Sequence, residues 1–323
     1  RDNLAPDHNE GRNRWLYGGY IEKPLVSYDG GKTYTRPAPV IDTPLDDRDT
    51  GICVFGNNSL IVTSFNNSAD MQRHHNTKNR YVQNYINTIA KEDEEKYLGA
   101  TFRISRDGGI TFGEIHRSPI TSPHGPVELR DGTVLWAGTR FEDIFAGIEV
   151  HRFNTETCKT ELIGRTCPNK NVVLNEPHLI ELPDGRLICH IRGENSELFD
   201  GGKEHLFTTF QSISEDGGKT WTQPEMLLDK TGGAPPHLFM TSKGVLLCTY
   251  GRRKKPYGIM AMFSTDSGKT WEKDVRLYEN PFSDDLGYPT TVELPDGTLI
   301  TVFYAKNTKN GPCEIIQQKW KIL

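Results

Sequence analysis

The sequence predicts an all-β fold: a six-bladed β-propeller of four-stranded antiparallel blades, with five blades as the alternative. Three observations support this prediction. A turn motif occurs four times in the 323 residues, a hairpin motif recurs between its copies, and the 31 Gly and 19 Pro residues suit many short strands joined by tight turns. A repeat of about 50 residues cannot bury both faces of its sheet alone, so the copies must pack on one another.

The turn motif reads Ser-x-Asp-x-Gly-x-Thr-aromatic, and we call each copy a box turn. The copies are SYDGGKTYT from Ser27, SRDGGITFG from Ser105, SEDGGKTWT from Ser214 and STDSGKTWE from Ser264. Asp and Ser side chains can hydrogen-bond within their own turn, Gly tolerates positive φ, and the aromatic residue can pack between blades. We therefore predict that the box turns are structural and not part of a ligand site.

The hairpin motif sets the length of the repeating unit. Its copies are ELRDGTVLWAG, ELPDGRLICHI, TSKGVLLCTYG and ELPDGTLITVFY, with a degenerate copy, FGNNSLIVTSF, near residue 60. Each copy is an apolar strand, a turn that tolerates positive φ and a second apolar strand. One blade has lost its box turn, in HRFNTETCKTE. Because no hairpin precedes the box turn at Ser27, we expect it to complete a sixth blade with the C-terminal strands, so that both termini close the ring.

One segment departs from the repeat. Residues 78–98 place Tyr81, Tyr85, Ile89 and Leu98 at roughly helical intervals, with charges between them. We expect an amphipathic helix inserted into the first blade of a single propeller domain that spans residues 1–323. The helix is either a surface cap or a wall beside the ligand site.

Bulk properties exclude several function classes. A formal net charge of −5 gives no electrostatic footprint for nucleic acid, and no apolar run approaches the roughly 20 residues of a membrane span. His74 and His75 lack the spaced partners of a metal site, so we expect no metal and no cofactor. We expect a soluble protein, cytoplasmic or secreted after loss of a leader. The six cysteines are mainly buried thiols in this interpretation, with a Cys158–Cys167 disulfide as the alternative.

Candidate site residues lie where each hairpin cycle starts and after its second strand, because the inner strands and their loops converge on the axis of a propeller. The polar residues at these positions are Arg48, Asp70, Glu176, Arg192, Arg253 and Tyr288, with Arg252 as the alternative to Arg253. Arginines from three blades, each with a planar fork that matches a carboxylate or phosphate, indicate an anion site as readily as surface ion pairs. His124 and His237 open equivalent blade positions, where they either line the same site or cap strands.

The box turns SRDGGITF, SEDGGKTW and STDSGKTW, together with NEPHLIELPDGRLICHIR and DLGYPTTVELPDGTLITVFY, resemble the bacterial exo-sialidases, or neuraminidases, and the wider Asp-box (BNR repeat) sialidase superfamily. The resemblance covers essentially the whole chain. It implies a propeller that removes a terminal carboxylated sugar from glycans. The box turns are strong evidence for the superfamily and weak evidence for the reaction, because one fold carries many functions.

The resemblance also implies a role for each candidate residue. The substrate carboxylate would be bound by Arg48, Arg192 and Arg253, with Arg252 as the alternative third arginine. The nucleophile would be Tyr288, its base Glu176 and the general acid/base Asp70, with Asp93 as the alternative to Asp70.

Physical reasoning supports a tyrosine in this role. A carboxylate nucleophile would be repelled by a sugar that carries its own carboxylate on the anomeric carbon, whereas a neutral tyrosine would not. Its ordinary pKa is about 10, so it needs a base. We predict a retaining exo-glycosidase with sialic acid as the first candidate substrate. The sequence has DRDTGI where the family usually has Phe-Arg-Ile-Pro, and Pro289 where it has serine, so the alternatives are a hydrolase or lyase for a uronic or keto-deoxy acid and a non-catalytic glycan-binding propeller.

Overall fold

The computed structural model describes residues 26–35, 39–75, 79–140, 143, 146–169, 172–195 and 206–322. The chain divides into two compact units, Arg1–Pro126 and Val127–Leu323. The described residues are mainly β-strands, with three short helices in the first unit.

The first unit contains one four-stranded sheet with a helical insertion. The strands of this unit are β1 (Asp46–Phe55), β2 (Ser59–Asn67), β3 (Ala100–Ser105), β4 (His116–Ser118) and β5 (Ile120–Thr121). Strands β1 to β4 pair antiparallel in chain order and form the first sheet. The helices α1 (Ala69–His75), α2 (Arg80–Ile86) and α3 (Lys91–Tyr97) all lie between β2 and β3.

The segment predicted as one helix forms two short helices, α2 and α3. Asn79 caps α2 by accepting hydrogen bonds from the N–H groups of Tyr81 and Val82, and the chain leaves the helix after Ile86. The buried side of α2 consists of Val82 and Ile86, which pack with Ala69, whereas Tyr81 is 62% exposed. Within α2, the buried side chains therefore lie one position after Tyr81 and Tyr85 of the predicted stripe, whereas Ile89 of that stripe packs against the same cluster. None of the helices among the described residues combines the length and the apolar character that a bilayer span requires.

The second unit contains four antiparallel sheets in chain order. They are the second sheet, β6 (Val127–Glu128), β7 (Val134–Arg140), β8 (Ile148–Asn154) and β9 (Lys159–Arg165); the third sheet, β10 (Val173–Glu181), β11 (Leu187–Glu194), β12 (Phe207–Ser214) and β13 (Glu225–Met226); the fourth sheet, β14 (Pro236–Met240), β15 (Leu246–Arg252), β16 (Gly258–Ser264) and β17 (Glu272–Glu279); and the fifth sheet, β18 (Leu286–Glu293), β19 (Leu299–Ala305) and β20 (Glu314–Trp320).

Apolar side chains join neighbouring sheets of this unit. Ile148 and Val150 of the second sheet pack with Leu179 and Cys189 of the third. Across the next interface, a second cluster joins Ile188 and other third-sheet residues to the fourth sheet. Such burial is the main favourable term in folding, so each sheet is stabilised by its neighbour, as the repeat predicted.

The structure is all-β as predicted, but the prediction of six blades is wrong. The described residues form five sheets, one for each hairpin. Dividing the length by a unit of about 50 residues overcounts the blades for two reasons. The first sheet carries the helical insertion, and no strand of the described residues begins before Asp46. The expected closure by both termini involves residues 1–25, which lie outside the described residues.

The box turns have the predicted internal hydrogen bonds. In the third sheet, the Ser214 hydroxyl donates to Asp216 Oδ1 (2.9 Å) and accepts from the Gly218 N–H (2.9 Å). Asp216 also accepts from the N–H (2.9 Å) and the hydroxyl (2.6 Å) of Thr220, and these Thr220 hydrogen bonds lower the pKa of Asp216 to about 2. The other copies repeat the pattern. The predicted hydrogen bonds within the box turn are confirmed.

The second sheet has a different turn where the box turn is lost. Between β8 and β9, the Asn154 side chain accepts from the N–H groups of Glu156 (3.1 Å) and Thr157 (2.9 Å). Cys158, which follows, has a positive φ of 55°. Cys158 and Cys167 do not form the alternative disulfide, and the described residues contain no other disulfide.

Candidate active site

Glu176 and Tyr288 occupy corresponding positions in the first strands of the third and fifth sheets. Each has a positive φ, 45° for Glu176 and 52° for Tyr288. Each lies at a break in strand register, in β10 for Glu176 and in β18 for Tyr288. Such backbone conformations cost about 1–3 kcal/mol and cluster at functional sites. Pro177 and Pro289 follow these residues, and a proline removes no ladder hydrogen bond at a bulge.

Glu176 and Tyr288 are joined directly by a hydrogen bond. The Tyr288 hydroxyl donates to Glu176 Oε1 over 2.6 Å, although the two residues are 112 positions apart in the chain. A bond this short from a hydroxyl to a carboxylate has the geometry of a charge-assisted hydrogen bond. A proton acceptor thus lies in contact with the phenol oxygen.

Arg192 of β11 lies beside this pair. Its Nη1 donates to Glu176 Oε2 (2.7 Å) and its Nη2 to Glu194 Oε2 (2.6 Å). Burial alone would lower the pKa of Arg192, but Glu176, Tyr288 and Glu194 raise it above its ordinary value. The guanidinium is therefore a fixed positive charge in contact with Glu176.

Arg253 lies beside the Tyr288 ring, and Arg252 does not. Arg253 donates from Nε to the Leu286 carbonyl (2.9 Å) and from Nη2 to the Tyr304 hydroxyl (3.0 Å). Its guanidinium carbon is 5.8 Å from the centre of the Tyr288 ring. Arg252 instead lines a small cavity together with Tyr257 and Tyr278, among other residues. The geometry favours Arg253 as the arginine of this site.

Four further residues belong to the site, and the sequence analysis did not single them out. They are Asn175, Glu194, Phe207 and Tyr304. The guanidinium carbons of Arg192 and Arg253 lie 4.9 Å and 5.3 Å from the centre of the Phe207 ring, a cation–π arrangement for both. One signal was readable in advance: Glu194 follows Arg192 by two positions, so both side chains share one face of β11.

His237 links neighbouring first strands of the second unit. Its Nδ1 accepts the Thr291 N–H (3.4 Å), and its ring stacks on that of His178 at 4.5 Å between centres. His178 in turn accepts the Leu238 N–H through Nδ1 (2.9 Å), and burial lowers its pKa to about 4. These contacts connect the first strands of the third, fourth and fifth sheets.

The remaining candidates lie in the first unit. Arg48 donates from Nε to Asp46 Oδ2 (2.7 Å). Asp70, in the first turn of α1, is 93% exposed and pairs with Arg73 at 2.5 Å. His124 is buried, and Asp93 lies in the first turn of α3. The candidates that the structure brings together within the second unit are thus Glu176, Arg192, Arg253 and Tyr288.

A metal site is not part of this arrangement as described. Among the residues that the structure covers, no group of three or more His, Cys, Asp or Glu side chains is placed to hold a metal ion.

Residues 80–301 match the sequence model of the BNR repeat-like domain. The chain belongs to this family. The match covers more than half of the chain and includes the box turns from Ser105 onward. The resemblance to the Asp-box sialidase superfamily is confirmed. Comparison with curated protein sequences gave no significant match.

Solved structures with the same fold agree with this family. A protein of unknown function from Dyadobacter fermentans is 21% identical, with 94% of this chain and 84% of that one covered and a TM-score of 0.72. Trypanosoma rangeli sialidase in complex with the inhibitor DANA is 14% identical, with 94% and 50% covered and a TM-score of 0.63. The leech intramolecular trans-sialidase, in complex with 2,7-anhydro-Neu5Ac, is 12% identical, with 94% and 64% covered and a TM-score of 0.63.

The BNR repeat-like chain is thus shorter than these sialidases. It spans 50% of the Trypanosoma rangeli chain and 64% of the leech chain. At these identities, the likeness shows a shared fold.

Proposed function

We propose that this BNR repeat-like protein is a retaining exo-glycosidase that hydrolyses a terminal carboxylated sugar, with sialic acid as the first candidate. The observation that carries the proposal is the 2.6 Å hydrogen bond from Tyr288 to Glu176. Arg192 donates a hydrogen bond to Glu176, and the guanidinium of Arg253 lies over the Tyr288 ring. The fold shared with sialidases is consistent with this chemistry.

The first displacement uses Tyr288 as the nucleophile. As its oxygen bonds to the anomeric carbon, its proton passes to Glu176 Oε1 and the bond from the anomeric carbon to the leaving oxygen breaks. An ordinary phenol, with a pKa of about 10, is a weak nucleophile at neutral pH, so the contact with a base is required. The neutral hydroxyl also avoids the repulsion that a carboxylate nucleophile would meet.

The second displacement restores the enzyme. In the first displacement a general acid gives a proton to the leaving oxygen. In the second displacement the same group acts as a base and removes a proton from the attacking water. Water bonds to the anomeric carbon, and the tyrosine oxygen leaves and recovers its proton from Glu176. Two displacements give retention. Asp70 remains the first candidate for the general acid/base, with Asp93 as the alternative, on the resemblance alone.

The arginines supply the recognition of the substrate. A charge-assisted hydrogen bond is worth about 1.5–3 kcal/mol, and a guanidinium fork matches both oxygens of a carboxylate. Within the second unit, the candidates are Arg192 and Arg253. Arg48 is kept as the third on the resemblance.

The test is release of the aryl group from an aryl α-sialoside. We expect Tyr288→Phe to lower kcat by about a thousandfold or more, since it removes the nucleophile. The matched control is Tyr278→Phe, which removes a hydrogen bond of similar length, from Tyr278 to Asn307 Oδ1 at 2.7 Å, and should leave turnover unchanged. Asp70→Ala should lose less activity on this good leaving group than on a natural glycoside.

Three outcomes would change the proposal. A folded wild type without turnover would exclude aryl sialosides, and a panel of uronic and keto-deoxy acid glycosides would follow. Turnover that survives in Tyr288→Phe would exclude this nucleophile. Sugar binding without turnover in wild type, equal in Tyr288→Phe, would indicate a non-catalytic binding protein.

A further inference from the structure

Arg192 already holds a carboxylate on each of its terminal nitrogens. Nη1 donates to Glu176 and Nη2 to Glu194, over 2.7 Å and 2.6 Å. Its Nε is buried and has no hydrogen-bond partner among the described residues. Each terminal nitrogen has a second N–H, but a substrate carboxylate that binds Arg192 has to compete with the two glutamates already in contact with it. Because Glu176 is needed on Tyr288 for the chemistry, Glu194 is the carboxylate that competes with the substrate for Arg192.

Glu194 is held in this position by a second hydrogen bond. Asn175 donates from Nδ2 to Glu194 Oε1 over 2.7 Å. Asn175 lies directly opposite Arg192 in the pairing of β10 with β11, so one strand pair fixes all three side chains. The Glu194 side chain is 29% exposed, which leaves it within reach of a ligand from solvent.

The charges in this cluster balance. Arg192 and Arg253 contribute two positive charges, and the two glutamates that bind Arg192 contribute two negative charges. A neutral residue at position 194 would leave one positive charge in excess. The affinity for an anionic sugar should therefore depend strongly on Glu194, and the affinity for a neutral sugar should not.

We infer that Glu194 is a specificity-determining residue. It occupies the anion position of Arg192 and sets how tightly the site binds a carboxylated sugar. When such a sugar binds, its carboxylate takes the place of Glu194 on Nη2, and Glu194 keeps its hydrogen bond to Asn175. The inference rests on the proposed function, since it uses the same site.

The test compares wild type with Glu194→Gln, a change that keeps the size of the side chain and removes its charge. The matched control is Glu181→Gln. Glu181, at the end of β10, also binds an arginine: Nη2 of Arg130, from the turn between β6 and β7 of the second sheet, donates to it over 3.0 Å. A second variant, Asn175→Ala, keeps the charge of Glu194 but removes its second hydrogen bond.

Binding of N-acetylneuraminic acid, glucuronic acid and galactose is measured by calorimetry, together with KM for an aryl α-sialoside. We expect both acidic sugars to bind Glu194→Gln about tenfold or more tightly than wild type and Glu181→Gln, because a competing charge is gone. KM should fall in parallel, and galactose binding should not change. Asn175→Ala should shift affinity in the same direction by a smaller factor.

The outcomes separate this inference from the proposed function. Equal or weaker binding of acidic sugars by Glu194→Gln overturns the inference, and sialoside turnover by wild type in the same experiment leaves the proposed function intact. Tighter binding by Glu194→Gln with no turnover in any form supports the inference and contradicts the proposed function. Acidic sugars that bind neither form contradict both.

Discussion

Arg252 and Arg253 are consecutive residues with the same side chain and different surroundings. Successive side chains in an extended segment point to opposite sides. Arg253 reaches the fifth sheet, where it binds the Leu286 carbonyl and the Tyr304 hydroxyl. Arg252 faces a cavity of about 10 Å³, close to the volume that one water molecule requires. A shift of one position along the chain therefore separates Arg253, a candidate site residue, from Arg252, which lines a different cavity.

This difference predicts the effect of removing each arginine. Arg253→Ala should raise KM for an aryl α-sialoside about ten- to hundredfold, the equivalent of one charge-assisted hydrogen bond. Arg252→Ala, the matched control, should change KM less than twofold, within the roughly 0.5 kcal/mol typical of a change away from special features. Steady-state kinetics on the two variants is the measurement. The opposite ranking would show that Arg252 is the binding residue.

The aromatic residue of the box turn contributes differently to stability depending on what packs around the turn. The hydrogen bonds within the turn recur in every copy, but the aromatic residue that ends the motif does not have one environment. Trp221 of the third sheet is 8% exposed, packs with residues of the second and third sheets and donates to the Gly218 carbonyl (2.9 Å). Tyr34, in the box turn at Ser27, is 45% exposed. The same motif therefore contributes a core residue in one place and a surface residue in another.

Substitution of these aromatic residues should give different losses of stability. Trp221→Ala should lower the free energy of unfolding by about 3–5 kcal/mol, since it opens a cavity in a buried cluster. Tyr34→Ala should change it by less than about 0.5 kcal/mol. Urea denaturation followed by circular dichroism measures both. A loss of similar size in the two variants would mean that the turn itself, and not the packing, depends on the aromatic residue.

At the largest scale, buried histidines join the sheets of the second unit. His178 links the third sheet to the fourth, and His237 links the fourth to the fifth, each by accepting a backbone N–H. A protonated imidazole nitrogen could not accept these bonds. Burial accordingly lowers the pKa of His178 to about 4 and that of His190 in β11 to about 3. The packing of these sheets should therefore depend on neutral histidine.

The sign of the resulting pH dependence follows from the lowered pKa. The stabilising contribution of His178 is complete above its unfolded pKa, about 6.5, and is lost as the pH falls through about 4. Between pH 7.5 and pH 5, wild type should lose about 2 kcal/mol of unfolding free energy more than His178→Gln, which cannot titrate. Denaturation of both proteins at the two pH values is the measurement.

The comparison between the two proteins cancels the contributions of titrating groups that do not interact with His178. Burial raises the pKa of Asp47 to about 7, so its contribution changes in the opposite sense over this range, but equally in both. Parallel pH profiles for wild type and His178→Gln would contradict the proposed role of the buried histidine.

The repeat, the box turns and the positions in each cycle where the candidate site residues lie could all be read in the sequence. Each of these depends on contacts within a few residues, such as the bonds of Asp216 to Thr220 four positions away. Turn chemistry of this kind is local, so a short motif specifies it. Tyr288 and Glu176 were also found in the sequence, from their place at the start of a hairpin cycle and from the resemblance to a family.

Tertiary packing sets how many blades form, which side chains of α2 are buried and which groups surround the Tyr288–Glu176 pair. Glu194 became part of the site because β11 places it next to Arg192 and opposite Asn175, and Phe207 because its ring lies near two arginines from different sheets. These contacts join residues far apart in the chain, and the free energy that selects them comes from packing whole sheets together. A local pattern carries no record of that packing, so the partners of a residue appear only when the sheets are assembled.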